Sequence, residues 1–195
     1  MGMEIVLQRS PAYLAYDPNK NFASVGLATR APLFSTQERY THMKSHQLCP
    51  QRYFEDFQVG ERFNIPSRTM TDALFAAFQM ASGDNHPIHY DIAYCRAHGM
   101  PHMLAHGFQV LIQTAAGAGL FPHMVEASLK AFIEQSSRFV KPVFVGDTLY
   151  PSLEVAELVP GRTTGVLIMR SEIRNQRDEV VLEGTQKYLL RKRPA

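Results

Sequence analysis

The sequence predicts an α+β fold in which a curved antiparallel sheet wraps around a long central helix. Residues 107–119 combine a helical apolar period with small residues that allow close packing. From residue 149 onward, apolar and polar residues alternate as they do in half-buried strands, and a polar segment at 175–178 has the pattern of a hairpin loop. One long apolar helix followed by several long antiparallel strands favours a sheet that curves around the helix.

Composition indicates a single globular domain with a short extension. The chain has 195 residues, of which 45% are hydrophobic and 19% are charged, as in ordinary globular proteins. Its net charge of +2, without a basic stripe interleaved with aromatic residues, predicts no nucleic-acid partner. Cys49 and Cys95 are too few for a disulfide framework, and residues 1–17 lack a secretory signal, so we expect a cytoplasmic protein.

The chain divides near residue 50. Residues 1–50 contain four prolines and no sustained apolar period, which predicts an irregular N-terminal extension. A flexible arm, a partner-binding extension and sequence upstream of a start at Met43 all remain open. Residues 51–195 form the predicted domain. Within it, residues 97–125 carry no formal charge, but histidines, glutamines and prolines interrupt them, so we expect no membrane span.

Three helices are predicted in chain order. Thr71 can cap the first, whose core-facing residues recur at helical spacing: Leu74, Ala77, Phe78 and Ala81. Asp91 can start a second helix that reaches Ala97 and is stopped by Gly99. The third, at residues 107–119, is the candidate for the central helix. Four large apolar side chains are assigned to the core: Phe75, Phe78, Met80 and Phe108.

Strands follow the helices. In the first, apolar residues alternate with polar ones: Leu149, Leu153 and Val155 against Ser152 and Glu154. Residues 163–174 and 179–191 form the two strands of the hairpin that encloses the loop at 175–178. The second half of the chain is therefore predicted to be an antiparallel sheet.

One short region holds the candidate catalytic groups. Residues 82–91 read Ser-Gly-Asp-Asn-His-Pro-Ile-His-Tyr-Asp. Asp84 and His89 are five residues apart, Pro87 fixes one φ angle between them, and Gly83 permits a tight turn before the acid, so the loop is predicted to be stiff. A carboxylate and an imidazole that reach one water molecule form an acid–base pair, which can add water across an activated double bond or remove it.

These residues resemble the hydratase motif of the MaoC-like dehydratases, a family that includes the (R)-specific enoyl-CoA hydratases. The motif is Asp-x-Asn-Pro-x-His, followed later by His-Gly, and residues 84–89 and 106–107 are similar to its two parts. His86 stands where the family usually has Asn. Two flanking segments, 53–60 and 141–149, resemble the family's opening segment and its later strand turn.

The resemblance implies a hot-dog fold, with a further strand near residues 61–70 and a sheet edge covered in a homodimer or higher homo-oligomer. It implies that Asp84 and His89 bind the water that is added to, or expelled from, the β-carbon of an acyl-CoA or acyl-carrier thioester. It assigns the oxyanion to the N–H of Gly107 at a helix start, where the helix dipole would assist. No redox cofactor is expected, because hydration passes no electrons to a carrier.

Five neighbouring residues are assigned to the substrate-binding part of the site: Ser82, Asn85, His86, Pro87 and His106. For Asn85 and His86, hydrogen bonds within the loop are an alternative to contact with substrate. A zinc site is a rival interpretation, because histidines 98, 102 and 106 are spaced by four, but Gly99 and Pro101 interrupt the helix that would align them.

Two other functions remain open at this point. A hot-dog thioesterase commonly carries a carboxylate on or beside the central helix, whereas residues 107–120 contain neither Asp nor Glu. A non-catalytic protein that only binds an acyl thioester would have no need of both Asp84 and His89. Both comparisons favour the hydratase.

Overall fold

The computed structural model describes residues 47–194. The predicted N-terminal extension lies outside the described residues, except for its last four. Residues 47–194 contain no helix long and apolar enough to cross a membrane.

Within this range six antiparallel strands form the sheet: β1 (Arg62–Asn64), β2 (Arg68–Thr69), β3 (Leu129–Phe139), β4 (Thr148–Pro160), β5 (Thr164–Arg174) and β6 (Val180–Arg191). Their order is β1-β4-β5-β6-β3, and β2 also pairs with β4. The predicted hairpin is confirmed, since β5 and β6 pair from Thr164 opposite Arg191 to Arg174 opposite Val180. The strand expected near residues 61–70 is present as two short pieces, β1 and β2.

In the same part of the chain four α-helices accompany the sheet: α1 (Asp72–Ser82), α2 (Ile92–Ala97), α3 (Gly107–Leu111) and α4 (Phe121–Met124). The two predicted N-caps are confirmed. The Thr71 hydroxyl accepts the Leu74 N–H at 3.4 Å, and the Asp91 carboxylate accepts two N–H groups in the first turn of α2. Four short 3-10 helices complete the described fold: Phe54–Asp56, Pro87–His89, Ile112–Thr114 and Ala116–Ala118.

The central helix is shorter than predicted. Instead of one helix over residues 107–119, α3 ends at Leu111 and two 3-10 turns follow it. Ala115, with ψ of 114°, leaves the helical region between those turns. Two glycines lie beyond this break, and glycine is among the weakest helix formers, so little favours a return to α-helix. The fold class α+β is unaffected.

The core assignments near the site are only partly correct. Phe75 is fully buried on α1, while Leu74 and Phe78 are half-buried. Ala77 and Ala81, predicted to face the core, are exposed. Met80 and Phe108, also placed in the core by the sequence, are 87% and 63% exposed. The helix contacts the core mainly through its first two turns, so the later part of its apolar stripe is left at the surface.

Helical segments pack on the sheet through two buried clusters. One cluster joins the α4 region to β4, β5 and β6, with Phe121, Leu153 and Met169 among its members. The other joins α1 and α3 to the opposite ends of the strands, with Phe75 and Val110 in the same cluster as Ile173. The second cluster includes Phe75 of α1, which leads to the Asp84 loop, and Ala105, which precedes His106, so it anchors both segments that carry the candidate site.

Candidate active site

The loop after α1 fixes the carboxylate of Asp84. Gly83 ends α1 in the left-handed region at φ +70°, which favours glycine. The Ser82 hydroxyl then accepts the Asp84 N–H at 3.2 Å, and Asp84 Oδ1 accepts the His86 N–H at 2.9 Å. The His86 N–H is the largest cause that lowers the pKa of Asp84; burial opposes it, and the nearby histidines lower it further.

His89 is held in one tautomer by a backbone carbonyl. It ends the 3-10 turn Pro87–His89, and its Nδ1 lies 2.6 Å from the Leu104 carbonyl oxygen. A carbonyl oxygen can only accept, so Nδ1 carries the proton and donates it. In the neutral ring, Nε2 then retains its lone pair and can accept a proton or a hydrogen bond.

His106 is held in the opposite tautomer by a backbone N–H. Its Nδ1 accepts the Phe108 N–H at 3.0 Å and caps α3. Its Nε2 therefore carries the proton and faces Asp84 Oδ2 at 3.1 Å. The ring centroids of His89 and His106 are 5.2 Å apart. The side chain that contacts the Asp84 carboxylate is thus that of His106, which the sequence assigned to substrate.

Asp84, His89 and His106 each offer a donor atom within 4.8 Å of the other two, which raises the question of a metal ion. The hydrogen bonds of His106 do not fit a metal ligand, because its Nδ1 lone pair is occupied and its Nε2 is protonated. The cluster is therefore suited to proton transfer. Among the described residues, histidines 98, 102 and 106 do not bring their donor atoms together, so the zinc set suggested by the spacing of four does not assemble.

Gly107 is the first residue of α3 and directly follows His106. No group within residues 47–194 accepts its N–H, which leaves this donor free. A Cβ atom here would lie 3.0 Å from Cζ of Phe139, so an alanine would press on that ring. Because α3 has only five residues, the dipole assistance predicted for a long central helix is smaller than expected.

A pocket of about 360 Å³ adjoins Gly107. Its lining includes Leu104, Val110, Phe139 and Lys141. Asp84 and His89 do not line it. His89 is linked to it through the Leu104 carbonyl, and Asp84 through His106, which directly precedes Gly107.

The five residues assigned to substrate binding mostly support the loop. Ser82 and His86 use their polar atoms on neighbouring N–H groups, Pro87 begins the 3-10 turn, and His106 holds Asp84. Asn85 is exposed, and its side chain makes no hydrogen bond to any residue from 47 to 194. Contact of these residues with substrate stays a prediction.

Tyr90 is a residue of the site that sequence reasoning did not single out. Its hydroxyl oxygen is buried and makes no hydrogen bond of normal geometry with any described residue. Its ring centroid lies 5.8 Å from that of His89. Burial raises the pKa of Tyr90, the Ser82 hydroxyl lowers it, and the charge of Asp84 raises it. Only the position of Tyr90 beside His89 could have suggested a role.

Comparison with known proteins gives a consistent result. A 3-hydroxybutyryl-CoA dehydratase of Methylorubrum extorquens is 30% identical over 136 residues, which cover 68% of this chain and 80% of that protein. An (R)-specific enoyl-CoA hydratase of Aeromonas caviae is 27% identical over 60% of this chain and 84% of its own length. A conserved hypothetical protein of Mycobacterium tuberculosis with a double hotdog fold superposes with a TM-score of 0.63 at 30% identity, covering 74% of this chain and 45% of that chain.

The superposition confirms the predicted hot-dog fold. The profile of the MaoC like domain matches residues 56–176, a span that includes the loop of Asp84, the start of α3 and most of the sheet. This match covers more than half of the chain, and it agrees with the resemblance carried by residues 84–89 and 106–107. The chain belongs to the MaoC-like dehydratase family.

Proposed function

We propose that this protein catalyses the reversible hydration of a 2-enoyl thioester to the 3-hydroxyacyl thioester. One observation carries the proposal: Asp84, ionised, and His89, with a free Nε2 lone pair, offer donor atoms within 4.8 Å of each other. A single water molecule can bridge two such groups. Asp84 and His89 do not hydrogen-bond each other, because Asp84 is held by His106 and His89 is held by the Leu104 carbonyl.

The pair can perform both proton transfers of hydration. The oxygen of the bound water forms a bond to C3 of the enoyl group, the pair takes one proton from that water, and C2 receives one proton. One water is added overall, and dehydration is the same sequence reversed. Proton transfers of this kind contribute roughly 10²–10⁴-fold to rate.

Gly107 completes the proposed site as the oxyanion donor. Negative charge develops on the thioester oxygen when water adds to C3, so a fixed N–H aimed at that oxygen stabilises the transition state more than the ground state. The Gly107 N–H has no acceptor among the described residues and is one peptide unit from His106. The same segment thus positions Asp84 and presents the donor.

We assign the acyl chain to a second pocket, of about 410 Å³, beside the 3-10 turns that follow α3. It is lined largely by apolar side chains, among them Leu111, Ile112, Phe121 and Phe132. Its size falls within the roughly 300–1,000 Å³ of small-molecule sites. The Methylorubrum and Aeromonas proteins are named for reactions of CoA thioesters, and we propose an acyl-CoA substrate here, with an (R)-3-hydroxyacyl product by analogy with the Aeromonas protein.

We further propose that two copies associate through β3. This strand is at an edge of the sheet, and several of its apolar side chains, with the residue that follows it, are exposed: Leu129, Phe132, Ile133, Phe139 and Val140. An open, apolar edge strand favours pairing with another strand. The Mycobacterium protein has a double hotdog fold, and this chain spans 45% of it, as expected for one of two units. Light scattering should then give twice the mass of the chain.

The test is a spectroscopic assay on purified protein. Loss of absorbance of the conjugated enoyl thioester is followed for crotonyl-CoA and for longer and branched 2-enoyl-CoAs, with free thiol measured in parallel. We expect conjugation to fall without thiol release. Thiol release would make the protein a thioesterase. No change in either signal across the series would contradict the proposal for these CoA substrates and would favour an acyl-carrier substrate, an unusual acyl group or a protein that only binds.

A further inference from the structure

The aromatic ring of Phe139 lies against the backbone of Gly107. A Cβ atom on Gly107 would lie 3.0 Å from Cζ, 3.2 Å from Cε2 and 3.4 Å from Cε1 of that ring. The backbone conformation does not require glycine at this position, because φ of Gly107 is not positive, and glycine is among the weakest helix formers. The ring therefore occupies the place that a side chain of residue 107 would take.

This contact differs from ordinary core packing. Phe54 also packs its ring on a glycine, Gly165 of β5, but Phe54 is only 6% exposed and belongs to a buried cluster. Phe139 is 49% exposed, and neither of the two buried clusters found within residues 47–194 includes it. Burial of apolar surface therefore explains the position of Phe54 much better than that of Phe139.

Phe139 and Gly107 line the same pocket, of about 360 Å³. The Gly107 N–H has no acceptor within the described part of the chain, so a thioester carbonyl that accepts this N–H would lie in the pocket beside the ring. Leu104, Val110 and Val143 also line this pocket. An apolar wall beside a free N–H keeps water from competing for the donor, and an electrostatic interaction is stronger where water is excluded.

We propose that Phe139 positions the thioester of the substrate. Its ring forms the wall that holds the thioester carbonyl at the Gly107 N–H and keeps water away from it. Residue 107 is a glycine because the ring must approach the backbone closely at this point. This inference rests on the proposed hydration at the same site, and it adds to that site a residue from the end of β3.

The kinetic test compares Phe139→Leu with a matched control, Phe54→Leu, in the hydration of crotonyl-CoA. Since displacement of reacting groups by about 1 Å can cost 10²-fold in rate and leucine keeps part of the wall, Phe139→Leu should lose about tenfold in kcat, with a smaller change in KM. Phe54→Leu removes a ring from the other glycine, so it should lower the melting temperature and keep the parental kcat. Because Phe139 also lies on the β3 edge, rates are compared at concentrations where light scattering gives each variant the parental mass.

Gly107→Ala and Phe139→Leu should not act independently. The alanine methyl group presses on the ring, and Phe139→Leu removes the ring atoms that lie nearest to it. The double variant should therefore be faster than the product of the two single losses predicts. Losses that simply multiply would mean that the ring and residue 107 do not act together.

A second readout does not depend on turnover. The Gly107 N–H resonance is followed by NMR while butyryl-CoA, a saturated thioester that cannot be hydrated, is added to saturation. A hydrogen bond to the thioester carbonyl should move this resonance downfield in the parent and in Phe54→Leu, and by a smaller amount in Phe139→Leu. Loss of fold stability alone would not change the resonance position of the saturated complex.

The outcomes separate the two proposals. If the parent hydrates no enoyl thioester, but butyryl-CoA moves the Gly107 N–H resonance less in Phe139→Leu than in the parent, the proposed hydration is contradicted and the positioning role is supported. If the parent is active and Phe139→Leu keeps the parental kcat and the parental shift, the positioning role is overturned and the hydration stands. No shift in the parent would also overturn the positioning role. If Phe139→Leu fails to fold, Phe139→Met, which keeps apolar bulk without the ring, decides by the same measurements.

Discussion

The most direct test of the site is Asp84→Asn. The amide is nearly the same size as the carboxylate, and its oxygen can still accept the His86 N–H that Oδ1 accepts at 2.9 Å. Its NH₂ group would then face the protonated Nε2 of His106, where Oδ2 now lies at 3.1 Å. The change therefore removes the proton acceptor and one hydrogen bond while leaving the turn after α1 in place.

The expected effect on rate is large and the effect on folding is small. Removal of a group that transfers a proton costs roughly 10²–10⁴-fold, so kcat for hydration of crotonyl-CoA should fall within that range. Asp84 and His106 lie near the surface, with side chains 32% and 24% exposed, so loss of their contact should change the melting temperature little. Thioester binding, measured by isothermal titration with a non-reactive saturated acyl-CoA, should persist.

Asp91→Asn is the matched control. It makes the same chemical change seven residues later, at the cap of α2, where the amide oxygen can still accept the Ala93 and Tyr94 N–H groups. We expect it to retain the parental kcat and melting temperature. If Asp84→Asn hydrated crotonyl-CoA as fast as Asp91→Asn, the carboxylate would have no part in proton transfer and the proposed mechanism would be wrong.

Three other substitutions probe the oxyanion donor, a buried hydrogen bond and a surface carboxylate. Gly107→Ala places a Cβ 3.0 Å from the Phe139 ring, so kcat should fall, by less than the roughly 10²–10³-fold that loss of a whole oxyanion donor costs; unchanged kinetics would argue against this donor. Tyr188→Phe leaves the buried Gln186 Oε1 without the hydroxyl that donates to it at 2.7 Å. Urea denaturation should therefore show that the free energy of unfolding falls by about 1–3 kcal/mol. A smaller decrease would mean that another donor takes the place of the Tyr188 hydroxyl. Hydrogen bonds from Asn175, Lys141 and Arg177, in that order, lower the pKa of Glu179 to about 2. Above pH 4.5 the urea midpoint of the parent should therefore be higher than that of Glu179→Gln, and this difference should disappear as the pH falls through about 2. A difference in midpoint that does not change with pH would refute the role assigned to the Glu179 carboxylate.

The sequence predicted those parts of the fold that depend on local chemistry. The caps at Thr71 and Asp91 are short-range hydrogen bonds between a side chain and the next turn, and both residues lie where the pattern placed them. The β5–β6 hairpin follows from alternation and a polar loop, which are also local signals. Gly83 in the left-handed region could be read from its place between a helical period and an acid.

The central helix could not be predicted in full, because its periodicity continues past the point where the backbone turns. Leu111 and Ile112 keep the apolar spacing, yet Ala115 adopts ψ of 114° and starts a new 3-10 turn. Alanine has the highest helix propensity, so the residue at the break gives no signal that the helix ends there. The exposure of Phe108 could not be predicted from the sequence either, because an apolar residue at a core-facing helical position is predicted to be buried whether or not its neighbours cover it.

The candidate site was predicted as a set of residues but not as a set of contacts. Donor atoms of Asp84 and His89 do lie within 4.8 Å of each other, while their catalytic role stays a prediction. The contact between Asp84 and His106 spans twenty-two residues and depends on the packing of α3 against the loop, which the sequence does not specify. The tautomers of His89 and His106 could not be predicted for the same reason, because each is fixed by a hydrogen bond to a backbone atom of residues 104–108.

The departure from the family motif at His86 can be understood from what the loop requires at this position. His86 holds Asp84 through its backbone N–H, which any residue except proline supplies. The His86 side chain acts separately, because its Nδ1 accepts the Ile88 N–H at 3.2 Å and caps the 3-10 turn that carries His89. The side-chain oxygen of asparagine is a preferred acceptor at such a cap, and a histidine Nδ1 can replace it because it also offers a lone pair close to the backbone. The substitution therefore preserves both hydrogen bonds on which the positions of Asp84 and His89 depend.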